Sequence, residues 1–310
     1  MELGVHEATR LKELCRLALP DEVLELDDLE GVCWPSLQGD DRAPLFGCVD
    51  ARTVVWQLPD GTDVGAACVS MTEVAGVRSA HLQLLVVHPA HRGRGIARAL
   101  VGLAESWALE AGVDTLTVGA GAPFYLFTGV DSRWTDALCC FEALGYERVC
   151  VELDLRCATQ QPATARRPAG DVQVARLADE ADAADLMALA DAHHPQWGAE
   201  FARAAQAGTV VLARDDSSGA LLGAAAHSVS RAAVIGPVAV DPDRQAAGVG
   251  TLMMQEVLRE LAVAGHRHAE IAWTSTVRFY ARSVGASVGR TSLVLRRGLS
   301  GAASSPSQQR

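Results

Sequence analysis

The chain has 310 residues, 49% of them hydrophobic and 21% charged, with a formal net charge of −11. That length accommodates two domains with full cores, and an acidic balance without any polybasic run excludes nucleic acid and anionic membranes as main partners, because both need a positive face. No apolar run reaches the roughly 18 residues needed to cross a bilayer, and the first residues lack a signal-peptide core, so a cytoplasmic protein is expected.

The first helical pattern puts Leu11, Leu14, Cys15 and Leu19 on one face and stops at Pro20. The acidic stretch from Asp21 to Glu30 reads either as part of a second helix or as the lining of a substrate entrance. Ala51 to Leu58, the turn Pro59-Asp60-Gly61 and Val64 to Val74 form an antiparallel hairpin. Residues 80 to 88 supply a buried central strand, whose run Leu84-Leu85-Val86-Val87 ends at His88-Pro89 because proline cannot donate to a sheet ladder. Arg92-Gly93-Arg94-Gly95 follows, and then Ile96, Leu100, Leu103 and Trp107 recur at helical spacing. Glycines without Cβ let backbone N–H groups converge on one point, and the helix dipole adds to them, so a pyrophosphate is the fitting guest. Gly112 ends the helix, Val113 to Val118 reads as a strand parallel to the central one, and an aromatic loop runs from Gly119 to Gly129. A helix over Asp136 to Leu144 and a strand over Tyr146 to Leu155 close the first half.

Arg156 to Gly170 lacks periodicity and reads as a linker, after which the plan repeats. Val172 to Leu177 is a strand, Asp179 caps a helix toward His193, a second helix follows Pro195, and Val210 to Ala213 pairs with Ala220 to Val229. Val234 to Val240 stops at Asp241-Pro242, and Gln245-Ala246-Ala247-Gly248-Val249-Gly250 opens a helix. A strand over Ala269 to Trp273, a helix over Thr276 to Val284 and a strand over Ser287 to Leu295 complete the fold, and the serine-rich tail beyond Gly298 reads as disordered. Each half offers one strand after its last helix, which suggests terminal strands shared or exchanged between the halves. The eight cysteines, Cys15 to Cys157, lack C-x-x-C spacing and read as buried hydrophobes. His193-His194 and His266-Arg267-His268 have no clustered carboxylate, so no metal site is expected.

Arg92 to Ala97 and Gln245 to Gly250 both match Gln/Arg-x-x-Gly-x-Gly/Ala, each behind a Val-x-Pro strand end and ahead of a helix. In this the chain resembles the GCN5-related N-acetyltransferases (GNAT), as a tandem member of that family. The resemblance implies a mixed α/β fold with two tandem acyl-CoA N-acyltransferase-like domains, at residues 1–158 and 171–298, with a linker over 159–170 and a tail over 299–310. It further implies direct transfer of an acetyl group from acetyl-coenzyme A to a primary amine of a small molecule. Backbone amides across Arg92, Gly93, Arg94, Gly95, Ile96 and Ala97, and across Gln245, Ala246, Ala247, Gly248, Val249 and Gly250, would hold the pyrophosphate. Main-chain groups of Val86, Val87 and His88, and of Val238, Ala239 and Val240, would align the thioester.

The reaction also needs a base, since an ammonium has no lone pair, and a proton donor for the departing thiolate. Glu73 and His81 flank the approach to the first central strand and are the first half's candidate bases; His227 and Glu270 are those of the second. In many family members the donor is a tyrosine before the last glycine turn. The first half has Phe141 there, and the second has Tyr280, one residue further from its glycine than usual. Two other readings stay open, a non-catalytic acyl-CoA sensor or scaffold and transfer of a larger acyl group.

Overall fold

The computed structural model describes residues 2–34, 48–74, 76–121, 125–160, 172–244 and 248–299. It divides into two compact units: 1–43, 48–151 and 293–310 form the first, and 44–47 with 152–292 form the second.

In unit 1, helices α1 (Glu2–Ala18) and α2 (Leu26–Cys33) precede the strands β1 (Cys48–Gln57), β2 (Asp63–Val74) and β3 (Val77–Val87). The tight turn Pro59–Gly61 folds β1 onto β2, and β2 and β3 pair antiparallel from Gly65↔Val87 to Val74↔Val77. Helix α3 (Ile96–Glu110) then returns the chain so that β4 (Thr115–Val118) runs parallel to β3, and α4 (Thr135–Ala143) follows a two-residue strand, β5 (Val130–Asp131). Two apolar layers sandwich the sheet. Leu100, Val101, Ala104 and Ala108 of α3 pack on one face with Phe141, and Leu11, Leu14, Leu29 and Val32 of α1 and α2 pack on the other with Leu84, Val86 and Phe127.

Strand β6 (Glu147–Ala158) begins in unit 1, and its last residues pair antiparallel with a strand of unit 2, β11 (His268–Ile271), from Leu155↔Ile271 to Ala158↔His268. The last strand does the converse. β12 (Ser287–Gly298) begins in unit 2, and Leu295 to Gly298 pair antiparallel with β4 of unit 1, where Leu293, Leu295 and Leu299 enter the core. Residues 156–158, read from the sequence as linker, are thus strand, and residues 161–171 lie outside those described.

Unit 2 follows the plan of unit 1 with an extra opening strand. β7 (Val172–Arg176), α5 (Glu180–His193) and α6 (Gly198–Ala207) lead to β8 (Val210–Asp215), β9 (Leu221–His227) and β10 (Val234–Val240); α7 (Val249–Val263), β11 and α8 (Val277–Val284) complete it. Its strand order is β6-β11-β10-β9-β8-β7, with β10 and β11 parallel. None of the helices is long and apolar enough to cross a membrane, among the described residues. The tail beyond residue 299 lies outside them.

Candidate active site

The site of unit 1 arises where β3 and β4 part. They pair as far as Leu82↔Val118, and Gly119 N–H adds one more bond to the Leu82 carbonyl at 2.9 Å. Gln83 is the extra residue of a β-bulge, because β2 partners Leu82 with Val69 and Leu84 with Cys68 and leaves Gln83 unmatched. A bulge sharpens the local twist and turns the strand away from its neighbour. Beyond it, among the described residues, β3 keeps only β2 as a strand partner: His88 N–H donates to the Val64 carbonyl at 2.9 Å, so by strand alternation the peptide groups of Leu85 and Val87 face away from β2, toward the gap.

That gap is the mouth of a cleft of about 830 Å³ lined by β3 from Leu82 to Val87, by Gly93, Gly95, Ile96 and Ala97, and by α4 from Thr135 to Ala143. Gly95 stands before α3 with φ +80°, a left-handed conformation that costs glycine little, and Gly93 does the same at +74°. The first helical bond runs from Ala99 N–H to the Gly95 carbonyl at 3.0 Å, so the N–H groups of Ile96, Ala97 and Arg98 have no acceptor within the helix. These amides and the helix dipole make an anion site at the foot of the cleft.

Arg92 has a different task from its neighbours. Its guanidinium donates to the Ala18 carbonyl at 2.9 Å and the Val87 carbonyl at 3.3 Å, and lies 3.8 Å from the Asp136 carboxylate, so it ties the end of α1 to the end of β3. The acidic stretch splits: Leu26–Cys33 is helix, whereas Asp21 and Glu22 line the cleft with Arg133, Phe127 and Trp134. Phe127 and Trp134 meet edge to face at 5.1 Å, and Arg133 grips Asp131, which is 1% exposed, with its nearest contact at 2.7 Å.

Of the two candidate bases in the first half, His81 lies beside residues that line the cleft. Its Nδ1 donates to the Gly119 carbonyl at 3.0 Å, which leaves Nε2 as the basic nitrogen, and burial lowers its pKa. Glu73 sits on β2 at the hairpin turn, opposite Arg78 of β3 and far from the cleft end of that strand, taking a 2.9 Å bond from Arg78. Phe141, at the position often occupied by tyrosine, is 2% exposed and packs against the Tyr146 ring.

Sequence reasoning passed over Gln83. It is 2% exposed, its Nε2 donates to Ser70 Oγ at 2.8 Å, and its Oε1 has no partner among the described residues. A polar residue interrupting an otherwise apolar central strand was the available signal. Gly65 on β2 was also missed: a Cβ there would lie 2.8 Å from Ile96 Cγ2, so its absence lets the first turn of α3 approach the sheet.

Unit 2 repeats the frame. Its central strand carries a register shift between Ile235 and Val238, and Asp241 N–H bonds the Leu222 carbonyl at 2.9 Å as His88 N–H bonds Val64. Gly248 precedes α7 with φ +90°, and Gln245, Ala246 and Ala247 lie outside the described residues. Val238, Ala239 and Val240 form the end of β10, with Ala239 buried. His227 and Glu270 are both engaged by neighbouring side chains. His227 Nε2 lies 3.1 Å from Glu260, which also takes a 2.9 Å bond from Arg176, and Glu270 takes a 2.7 Å bond from Arg231. Tyr280 is 8% exposed in the core, its pKa pushed up to about 12 by burial.

A parted pair of parallel strands over a glycine-rich helix N-terminus makes an extended groove with free backbone amides at its foot. A profile of the acetyltransferase (GNAT) family matches residues 21–124 and again 175–286. Mycothiol acetyltransferase of Clavibacter sepedonicus is 33% identical over 234 residues, 69% of this chain and 70% of that protein. The fold is shared with a tandem GNAT protein of the clavulanic acid biosynthesis pathway, at TM-score 0.65 and 19% identity over 97% of both chains. It is shared also with the glucosamine N-acetyltransferase region of a fungal multi-domain β-N-acetylglucosaminidase, at TM-score 0.72 and 17% identity, covering 94% of this chain and 37% of that one. The chain belongs to the GNAT acetyltransferase family and is an acyltransferase with two GNAT-type units.

Proposed function

We propose that the cleft of unit 1 binds acetyl-coenzyme A and transfers its acetyl group directly to the primary amine of a small molecule. The observation that carries this reading is the parting of β3 and β4 directly above the amides of Ile96, Ala97 and Arg98. The pyrophosphate would sit on those amides, and the pantetheine arm would run along the outward peptide edge of β3 at Leu85 toward Val87, whose carbonyl Arg92 already engages. The thioester would then lie near the bulge at Gln83. The acceptor would enter past Asp21, Glu22 and Trp134, where two carboxylates favour an ammonium.

His81 Nε2 would take the amine's proton. The amine nitrogen then attacks the thioester carbonyl, a C–N bond forms, the C–S bond breaks, the nitrogen sheds its second proton to water as the amide forms, and the coenzyme A thiolate leaves and is protonated. Phe141 has no proton to give. Cys140, a cleft-lining thiol that burial keeps protonated, would serve on that wall.

The relatives named for mycothiol and for glucosamine put small polar amines of those kinds first in an acceptor panel. The test follows coenzyme A release with that panel for the wild type and for Ala97→Trp, which fills the cleft. Intersecting initial-rate lines and a loss of at least about a hundredfold in Ala97→Trp are expected, equivalent to about 2.7 kcal/mol of lost transition-state stabilisation. Parallel lines, or an active Ala97→Trp protein, would refute the reading.

A further inference from the structure

The glycines that precede the two helices are alike, Gly95 at φ +80° and Gly248 at φ +90°, but the residues that face the two helix starts differ. In unit 1, Ala97 of the first turn of α3 looks onto open cleft, whose opposite wall is α4 at Cys139, Cys140 and Ala143. In unit 2, Gly250 holds Ala97's place in the motif, and the ring of Phe279 from α8 lies on it. A Cβ built at Gly250 would stand 2.9 Å from Phe279 Cζ, 3.3 Å from its Cε2 and 3.5 Å from Val240 Cγ2. Val240 is the last residue of the central strand, so the ring tip sits where strand end and helix N-terminus meet.

The ring is anchored there. Phe279 packs against the buried core of unit 2 together with Val238, Val240 and Val277, and meets the Tyr280 ring edge-on at 4.8 Å. The missing side chain at Gly250 thus makes room for an aromatic ring from the neighbouring helix. A methyl group at that position would require the ring to shift.

We infer that Phe279 plugs the second copy of the site, so that the chain binds one acyl-coenzyme A, in unit 1, and that unit 2 holds a latent cofactor groove closed by its own helix α8. This rests on the reading of the unit 1 cleft as the acyl-coenzyme A site. The phosphate end of the cofactor needs the helix N-terminus, and its pantetheine arm needs the space beside the strand end. Phe279 occupies the second while leaving the first formed, which explains how the glycine turn persists in a unit that does not bind.

Calorimetric titration of the full chain with acetyl-coenzyme A tests this. The wild type is expected to bind one equivalent, Ala97→Trp none and Phe279→Ala two, and the double variant to return to one. Two equivalents for the wild type, or one retained by Ala97→Trp, would overturn the plug. So would a single equivalent for a Phe279→Ala protein whose circular dichroism matches the wild type. If Phe279→Ala fails to fold, the wild-type and Ala97→Trp titrations decide, since neither alters the plug. A wild type that binds no acetyl-coenzyme A would instead refute the cofactor assignment for unit 1.

Discussion

Replacing Gly65 by alanine should loosen the seat of the anion turn. The new Cβ would lie 2.8 Å from Ile96 Cγ2, 3.0 Å from Leu100 Cδ1 and 3.3 Å from the Val86 carbonyl oxygen, all inside the ordinary contact range that begins at 3.4 Å. Two of these atoms are side-chain ends on the first turns of α3, so those side chains, or the helix that carries them, must give by a few tenths of an ångström near the end that carries Gly95. Overpacking of this kind costs about 1–3 kcal/mol. Gly223 holds the same place in unit 2, opposite Val240, but there the nearest obstacles are the Ala239 carbonyl oxygen at 2.7 Å and Met253 Cε at 3.0 Å. Backbone yields less than a side-chain end, so Gly223→Ala should sit at or above the upper limit of that range. Urea unfolding measures both costs, and calorimetry should show acetyl-coenzyme A affinity falling about tenfold in Gly65→Ala, the equivalent of about 1.4 kcal/mol. A Gly65→Ala protein within about 0.5 kcal/mol of the wild type and with unchanged affinity would refute the reasoning, as would a milder effect at Gly223.

Glu200 of α6 is buried, and burial pushes its carboxyl up to about 7. A folded pKa above the unfolded 4.5 means that its contribution is intact below pH 4.5 and is lost as pH rises through about 7. Glu200→Gln should therefore be more stable than the wild type at pH 8, by up to about 3 kcal/mol, with no such gain at pH 4. Thermal unfolding at the two pH values checks this, and equal stability at pH 8 would count against it. Ending the chain after Ser292 removes one of the two strands paired with β4, leaving β3, and takes Leu293, Leu295 and Leu299 out of the core of unit 1. Burial of such side chains is worth about 1.5–3 kcal/mol each, so the truncated chain should lose acetyl-coenzyme A binding, and full binding by it would contradict the strand assignment.

Much of the site was legible because its determinants are local. Val-x-Pro ends a strand, a glycine at positive φ starts a helix, and the residues that do both lie within ten positions of one another, at Val87 to Ala97 and again at Val240 to Gly250. The candidate bases were less legible. Glu73 and His81 are eight residues apart in one hairpin, yet the hairpin's length puts Glu73 with Arg78 at one end and His81 beside Gly119 near the cleft. Gln83 went unnoticed because a bulge depends on the register of two strands and leaves only a stray polar residue in the sequence.

The sequence alone determined the two strand–turn–helix frames and the family, since hydrogen-bonding limits of proline and the freedom of glycine act within a few residues. Tertiary structure decided which strand completes which unit and which copy of the groove is open. Two strands read as ending at Leu155 and Leu295, and nothing in the sequence says that the first runs on through Arg156–Ala158 to pair with β11 or that the second pairs with β4. Likewise Phe279 reads as an ordinary helical aromatic until packing brings it onto Gly250, 29 residues earlier in the chain. Strand partners and plugged clefts are set by contacts between distant segments, and local sequence carries the surfaces that meet without naming the meeting.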